Sequence, residues 1–264
     1  MINRGIGQVI HQYDMIADGD RVAVGLSGGS DSLTLLWFLH ERRRRIPVHY
    51  EICPIYIDPG FEDGFSSVLA QHCLQWGFEL RVDTTDHGIV AHSRENRENP
   101  CFLCSRLRRK RLFEIADEQN CCKLALGHNK DDLIETLFLN ICYAGEICTM
   151  VPSQDFFQGK FTVIRPLAFV DAEFIRKFAR ERQFPSFENP CPTAKLSKRK
   201  EIRDLLNQLY LDNSNIKGNI FRSLSHVRTD YLLKARPKRR KRSDNTYESF
   251  QGSSGSGYFI PSSI

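Results

Sequence analysis

The sequence predicts an α/β fold: a mostly parallel sheet with helices on both faces, followed by a small helical extension. Three observations predict it. Apolar runs alternate with helical periods at short connections from residue 21 to about residue 182, the pattern of parallel strands joined by helical crossovers. The first run, Val22-Ala23-Val24-Gly25-Leu26, stops in a glycine-centred, hydroxyl-rich turn and passes straight into the helical pattern of residues 33–39. The 264 residues are enough for one such domain with a sizeable core and an extension, so no second enzyme domain is needed.

Residues 3–17 are expected to open the chain as a helix. Strands follow at 21–26, 48–57, 78–84, 122–126 and 161–165, each an apolar run bounded by turn residues. Helices are expected at 31–44, 61–76, 104–119, 131–143, 171–182 and 196–209. Arg42-Arg43-Arg44-Arg45 ends helix 31–44 and complements its dipole. The apolar run 52–57 gives way to Asp58 and the turn pair Pro59-Gly60, where a strand-ending aspartate is common. Residues 87–100 are polar and read as a mobile loop, a candidate lid. Right-handed crossovers gather the loops that follow the strands along one edge, bringing Ser27, Asp58 and Asp132 to it.

The turn after the first strand reads Ser27-Gly28-Gly29-Ser30-Asp31-Ser32. Gly28 and Gly29 carry no Cβ and let an anion approach the backbone, the serines supply hydroxyls, and the helix N-terminus adds its dipole. The site lies at the carboxyl end of a buried strand, where open α/β sheets bind ligands, which favours a nucleotide over an ordinary glycine-rich turn. The Gly-Lys-Ser/Thr ending of a Walker loop and the Gly-x-Gly-x-x-Gly spacing of a dinucleotide site are both missing, so neither is supported. A second such junction is Gly127-His128-Asn129-Lys130-Asp131-Asp132, which places Asp131 and Asp132 in the first turn of a helix. Asp132 there either holds Mg²⁺ or ATP, or is an ordinary dipole-stabilised carboxylate; His128 either packs or caps.

Nine cysteines without a secretory signal fit a reducing compartment. Cys101-Phe102-Leu103-Cys104 is a close pair just after Pro100, and Cys191 sits between Pro190 and Pro192. Three thiolates converging there suit an iron–sulfur cluster or zinc. A Cys101–Cys104 disulfide and a buried structural pair are the alternatives. Cys53, Cys73, Cys121, Cys122, Cys142 and Cys148 read as small hydrophobes.

The loop at residues 27–32 resembles the Ser-Gly-Gly-x-Asp-Ser signature of the PP-loop ATP-binding superfamily. With Cys101, Cys104 and Cys191 at this distance from it, the chain is similar to the tRNA 2-thiocytidine synthetases, a branch carrying a [4Fe-4S] cluster on three cysteines. The likeness runs from about Ile2 to about Leu233. Its other anchors are Tyr13-Asp14-Met15-Ile16, the Arg106-Leu107-Arg108-Arg109 run, the stretch from Leu126 to Asn140, Ile164-Arg165-Pro166-Leu167 and Phe184-Pro185. The resemblance implies a Rossmann-like, adenine nucleotide α-hydrolase fold. It also implies ATP held by Ser27, Gly28, Gly29, Ser30, Asp31, Ser32, Gly127 and Asp132, with Ile57 and Asp58 beside the adenine or ribose, and Mg²⁺ as a further cofactor. Cys101, Cys104 and Cys191 are the implied metal ligands and, with Asp31, the implied catalytic set. A cubane on three sulfurs leaves one iron open to an exogenous ligand such as hydrosulfide. The implied reaction has a cytosine O2 attack the α-phosphate of ATP and release pyrophosphate, after which sulfur displaces AMP to give 2-thiocytidine, in the anticodon loop. Cysteine desulfurase or sulfide is the implied sulfur source, tRNA the partner, and a homodimer is allowed. One departure is Ser30, where the family commonly has lysine; losing that cation weakens phosphate neutralisation.

On this reading residues 1–20 form an N-terminal helix, 21–182 the ATP-binding domain, 183–233 the helical extension with the third cysteine, and 234–264 a disordered basic tail. The tail holds seven Lys/Arg against Asp244 and Glu248, which equals the whole formal charge of +5. Local clusters therefore carry the case for a tRNA face: Arg106, Arg108, Arg109, Lys110 and Arg111, and Lys195, Lys198, Arg199 and Lys200, which flank the same cysteines. The polar stretch 87–100 is a further candidate tRNA contact. No stretch has the length of a membrane span and no signal peptide is visible, so a cytoplasmic protein is expected, without membrane contact. Two other readings use the same residues: a PP-loop enzyme acting on another base or a small molecule, with zinc in place of the cluster, and a noncatalytic nucleotide-binding redox sensor.

Overall fold

The computed structural model describes residues 1–61, 65–185, 191–193 and 197–233. The expected tail, Pro190 and Lys195 lie outside the described residues. Six strands form one sheet: β1 (Asp20–Leu26), β2 (Tyr50–Asp58), β3 (Arg81–Thr84), β4 (Lys123–Leu126), β5 (Ser153–Phe156) and β6 (Phe161–Ile164). Their spatial order is β3-β2-β1-β4-β6-β5. All neighbours run parallel except β5, which pairs antiparallel with β6 at the edge. The chain lays β2 and β3 to one side of β1 and then crosses back to β4 on the other side. The order thus reverses between β1 and β4, and their carboxyl ends open the crevice where such sheets bind ligands.

Period-two alternation distributes the strands' side chains between two apolar layers. Val22 and Val24 of β1 with Ile52 and Tyr56 of β2 face one layer, which includes α1 (Ile2–Gln12), α2 (Ser30–Arg43) and Ile175 of α7 (Ala172–Glu181). Ala23, Ile55, Ile57, Leu124 and Val163 face the other, under Leu112, Ile115 and Ala116 of α5 (Pro100–Glu118). At the rim of the first layer Trp37, Trp76, Phe178 and Phe184 interlock, with Trp37–Trp76 and Trp76–Phe184 centroids 5.2 Å apart.

The extension is α8 (Lys198–Asp212) and α9 (Ile216–Ser223), both packed on α6 (Lys130–Leu139). Ile202 and Leu206 bury against Ile134. Beside them the Glu135 side chain, 5% exposed, accepts from Arg203 Nε at 2.6 Å and from Arg199 Nη1 at 3.2 Å. From α9, Lys217 Nζ reaches Asp131 at 2.7 Å and Asp171 at 2.8 Å. These ion pairs hold the extension against the helix that opens at the crevice.

Several elements differ from the sequence expectation. Helix α1 stops at Gln12 rather than residue 17, because Asp14 takes a left-handed φ of 46°. Within 87–100, expected to be loop, residues His87–Ala91 form the short helix α4. Helix α6 ends at Leu139 and continues as a π-helical turn, Asn140–Ala144, closed by Gly145 at φ 69°. Strand β5 and helix α9 were not expected, and α3 runs Ser66–Gln75. No helix among the described residues is long and apolar enough to cross a membrane.

Removing one partner of a buried ion pair strands the other. Glu135→Ala should therefore lower unfolding stability in urea by about 2 kcal/mol, a value reduced from the fully buried case because the arginines keep solvent contact. A loss below about 0.5 kcal/mol would show that apolar contact alone docks the extension.

Candidate functional site

The turn between β1 and α2 is locked by its own hydroxyls. Gly28 takes φ 79°, a conformation glycine adopts without strain, and Gly29 is the N-cap of α2. The Ser32 hydroxyl accepts from Ser27 N at 3.1 Å and donates to Gly29 O at 3.0 Å, so this buried serine shapes the loop from below. The Ser30 hydroxyl donates to Asp31 Oδ1 at 2.8 Å. The first residue of the facing junction is a glycine for a steric reason: a Cβ on Gly127 would stand 2.9 Å from Ser32 N and 3.1 Å from Asp31 C.

Helix α6 starts beside α2 and is tied to it by one residue. Asn129 Oδ1 accepts from Asp131 N at 2.8 Å and Asp132 N at 3.2 Å, while Asp132 Oδ2 accepts from Asn129 N at 3.0 Å, a complete capping box. The same Asn129 donates its amide Nδ2 to Asp31 Oδ2 at 2.8 Å. Two helix N-termini and two carboxylates are thereby fixed at one crevice. Burial pushes the Asp132 carboxyl up to about 6, against the Asn129 backbone hydrogen bond and the Arg199 charge that favour ionisation. Its side chain keeps 22% exposure, all of it small for a carboxylate otherwise surrounded by protein. Burial also raises Asp31, opposed by its bonds from Ser30 and Asn129. Paired carboxylates of this kind, with room for water and phosphate oxygens, suit Mg²⁺.

A cavity of about 210 Å³ occupies the crevice. Ser27, Asp31, Ser32, Gly127 and Asp132 line one side; Ser105, Arg108 and Arg109 of α5 line the other, with His128 between. His128 is held neutral by burial and by Arg165, Arg199, Arg108 and Arg109, and its Nδ1 has no partner. Behind it Arg165 is 0% exposed; Nη1 donates to Val151 O at 2.6 Å, but Nε and Nη2 are unsatisfied. Arg109 Nε is likewise unsatisfied. Buried guanidiniums without carboxylates are costly, and an anion entering the cavity relieves that cost. Arg165 was not singled out from sequence as a site residue, although an arginine after the apolar run 161–164 was the available signal.

The three cysteines meet at the N-terminal end of the same helix. Pro100 opens α5, and Asn99 Oδ1 caps it by accepting from Cys101 N at 3.0 Å and Phe102 N at 3.3 Å. Cys101 and Cys104, three apart, share one helix face. Thr193 brings in the third: its Oγ1 lies 3.4 Å from Cys101 Sγ and 3.4 Å from Cys191 Sγ. Burial raises the Cys104 thiol, and the neighbouring Cys191 and Cys101 add to this while Arg108 opposes it. His92, directly after α4, places Nε2 at 3.1 Å from Thr193 Oγ1 and 3.7 Å from Cys191 Sγ; its Nδ1 faces Gly88 O at 2.8 Å. Among the described residues no three His, Cys, Asp or Glu side chains close on a single-ion site. Thr193 Oγ1 thus sits between the Cys101 and Cys191 thiols, with the Cys104 thiol their neighbour on α5, and soft thiolates suit an iron–sulfur cluster or zinc.

Other sequence candidates fall elsewhere. Ile57 is 2% exposed in the apolar layer under α5 and does not line the cavity. Asp58 closes its own turn, accepting from Gly60 N at 2.9 Å. Asp131 is committed to Lys217 and to Ala172 N at 2.8 Å. In the basic runs Arg111 is paired with Asp83 at 2.8 Å, Arg106 with Glu98, Lys110 with Glu114, Lys198 with Glu201 and Lys200 with Asp204. Arg108 and Arg109 instead line the cavity.

A family model described as PP-loop domain matches residues 2–209. The chain is 40% identical over 241 residues to a tRNA-cytidine(32) 2-sulfurtransferase of Geotalea daltonii, covering 90% of this chain and 95% of that protein. It is 40% identical over 236 residues to the one from Geobacter sulfurreducens, covering 88% and 91%. Among solved structures it is similar to the U34-tRNA thiolase NcsA from Methanococcus maripaludis with its [4Fe-4S] cluster, at TM-score 0.69 and 24% identity, covering 88% of this chain and 78% of that one; this likeness shows the fold.

Gly127→Ala forces backbone apart where the loop meets the facing junction, and ATP affinity measured by calorimetry should fall at least about tenfold, with an overpacking cost of about 1–3 kcal/mol in stability. Retained affinity would show that the loop tolerates the shift. For Asp132, the folded protein keeps the proton to about pH 6 while the unfolded chain releases it near pH 4. The folded state thus loses stability as pH rises from about 4 to about 6, and the loss is constant above. Asp132→Asn should stabilise the ligand-free protein at pH 7.5 by about 2 kcal/mol and leave it unchanged at pH 4, while weakening ATP binding in Mg²⁺. An equal gain at both pH values would rule out the ionisation cost.

Proposed function

The chain belongs to the PP-loop family and, within it, to the tRNA-cytidine(32) 2-sulfurtransferases, and on that premise we propose that it is an ATP-dependent tRNA sulfurtransferase converting a cytidine of the anticodon loop to 2-thiocytidine, with release of AMP and pyrophosphate. One observation carries the reading: the first three turns of α5 hold Cys101 and Cys104 at one end and Ser105, Arg108 and Arg109 against the phosphate-loop cavity at the other. Nucleotide activation and sulfur chemistry are therefore within one base's reach of each other.

The residues divide the work. The loop from Ser27 to Ser32 receives the pyrophosphate part of ATP at the α2 N-terminus, where the dipole favours anions. Asp31 and Asp132, both hydrogen-bonded to Asn129, would hold Mg²⁺. Arg108 and Arg109, with Arg165 behind His128, face the charge that builds on the α-phosphate as the cytosine O2 attacks it; fixed cations in an enclosed site are worth more there than in water. They also compensate for Ser30, which supplies no positive charge. Neutral His128 presents its unpartnered Nδ1 without adding charge. Cys101, Cys104 and Cys191 are the residues that would hold a [4Fe-4S] cluster, and Thr193 and His92 set the spacing of two of the thiols. Such a cluster supplies soft iron at which sulfur is delivered to the activated carbon. Sulfur comes from a cysteine desulfurase or from sulfide.

For tRNA, the exposed pairs Arg106–Glu98, Lys110–Glu114, Lys198–Glu201 and Lys200–Asp204 are weak enough to exchange their carboxylates for phosphates at little cost. The reading places the enzyme in the cytoplasm, where tRNA and reduced thiols coexist.

Cys101→Ser should abolish 2-thiocytidine formation on unmodified tRNA by the reconstituted enzyme while leaving ATP affinity within about twofold, because Cys101 lies outside the cavity. Full thiolation by this variant would refute the role given to the three thiols.

A further inference from the structure

A further thiol lies on the interior strand β2, outside the nucleotide cavity. Cys53 on β2 pairs in register with Ala23 on β1, two residues beyond Arg21. Arg21 Nε donates to Cys53 Sγ at 3.3 Å. A guanidinium aimed at sulfur favours the thiolate. The neighbouring Cys121 thiol and the Arg21 bond lower Cys53 against the opposing effects of burial and of Glu51, and Cys121 is raised in turn. Glu51 shares Arg21 at 3.3 Å, but with side chains 41% and 71% exposed that pair is weak.

Cys121, whose thiol donates to Gln119 O at 3.7 Å, is not the disulfide partner of Cys53. It precedes β4, and β2 and β4 flank β1 on opposite sides. Two strand spacings of about 4.8 Å separate their backbones by more than the about 7 Å a disulfide spans. Cys53 is therefore left for an external electrophile. It lines a groove of about 750 Å³ together with Arg21, Arg43, Arg81, Glu51 and Glu79. Among the described residues Arg43 and Arg81 have no carboxylate partner. Arg81, paired in register with Ile55, lies on the same face of the sheet as Cys53, Arg21 and Glu51, a mixed-charge setting that matches a small thiol carrying carboxylates and an amine, while Arg43 stacks on Phe78 on the other face.

We propose that Cys53 is a thiol-modification site that forms a mixed disulfide with a small anionic thiol of the glutathione class, its thiolate stabilised by Arg21 and a carboxylate of the incoming thiol held by Arg81. The step is thiol–disulfide exchange: the Cys53 thiolate attacks one sulfur of the low-molecular-weight disulfide, a new S–S bond forms, the old one breaks, and its electron pair leaves on the second thiolate, which takes a proton from water. Cys53 is oxidised and half of the incoming disulfide is reduced.

The test uses the full chain with its metal site loaded, kept anaerobic, exposed to glutathione disulfide, quenched with N-ethylmaleimide and read by peptide mass spectrometry. Cys53 should be glutathionylated at least about tenfold faster than Cys122 and Cys142, although both of those are more exposed. Arg21→Gln should slow Cys53 about tenfold and Arg21→Lys should preserve most of the rate, which separates charge from folding. Arg81→Gln should slow the reaction with glutathione disulfide but not with neutral hydroxyethyl disulfide. Equal rates at Cys122 and Cys53, an unchanged rate in Arg21→Gln, or a Cys53–Cys121 disulfide as the product would each overturn the proposal. None of these readouts depends on thiolation activity.

Discussion

The hydrogen bond from the Asn129 amide to Asp31, 2.8 Å long, is the contact on which the arrangement of the site rests. Asn129 uses its carbonyl oxygen to cap α6 and its amide to reach α2, so one side chain sets the distance between two helix N-termini. The sheet order makes this necessary. β1 and β4 are neighbours whose following helices leave in different directions, and the crevice between them would otherwise be free to widen. Gly127 completes the constraint from the backbone side, since any side chain there would meet Ser32. Both carboxylates lose solvation as a consequence and are raised, an unfavourable state in the empty protein that a divalent cation reverses.

Helix α5 transmits that geometry to the thiols. Its second layer of packing, Leu112, Ile115 and Ala116 against β1, β2 and β4, fixes the helix on the sheet, and its first turns project past the sheet edge with Cys101, Cys104, Arg108 and Arg109. The third thiol arrives from a separate segment and depends on two supports. The aromatic cluster around Trp76 and Phe184 holds the chain before Cys191, and the α6–α8 ion pairs hold it after Thr193. The extension therefore contributes to the site through position, by delivering one cysteine to a face that α5 already presents.

Much of this was legible in the sequence where a local rule decides the outcome. The phosphate loop, the parallel alternation and the Cys101/Cys104 pair all follow from spacing and residue type. Period-two alternation also predicts that Ile57 shares a face with Ile55, and both are buried under α5. Strand β5 was invisible because an edge strand with the sequence Ser-Gln-Asp-Phe has no buried face to announce it. Helix α4 is only five residues long, too short for a helical period to appear in a polar stretch. The basic runs could not be sorted by sequence into cavity-lining and surface-paired residues, because Arg108 and Arg111 differ only in which face of α5 they occupy. Arg165 carries no sequence mark of its unsatisfied donors, which exist only once β6 and the segment at Val151 enclose it.

The most direct measurement is mass spectrometry of tRNA nucleosides from source cells with and without this gene. Selective loss of 2-thiocytidine, restored by the wild-type gene, is the predicted result. An unchanged nucleoside profile would contradict tRNA thiolation and reassign the paired nucleotide and thiol sites to a different substrate.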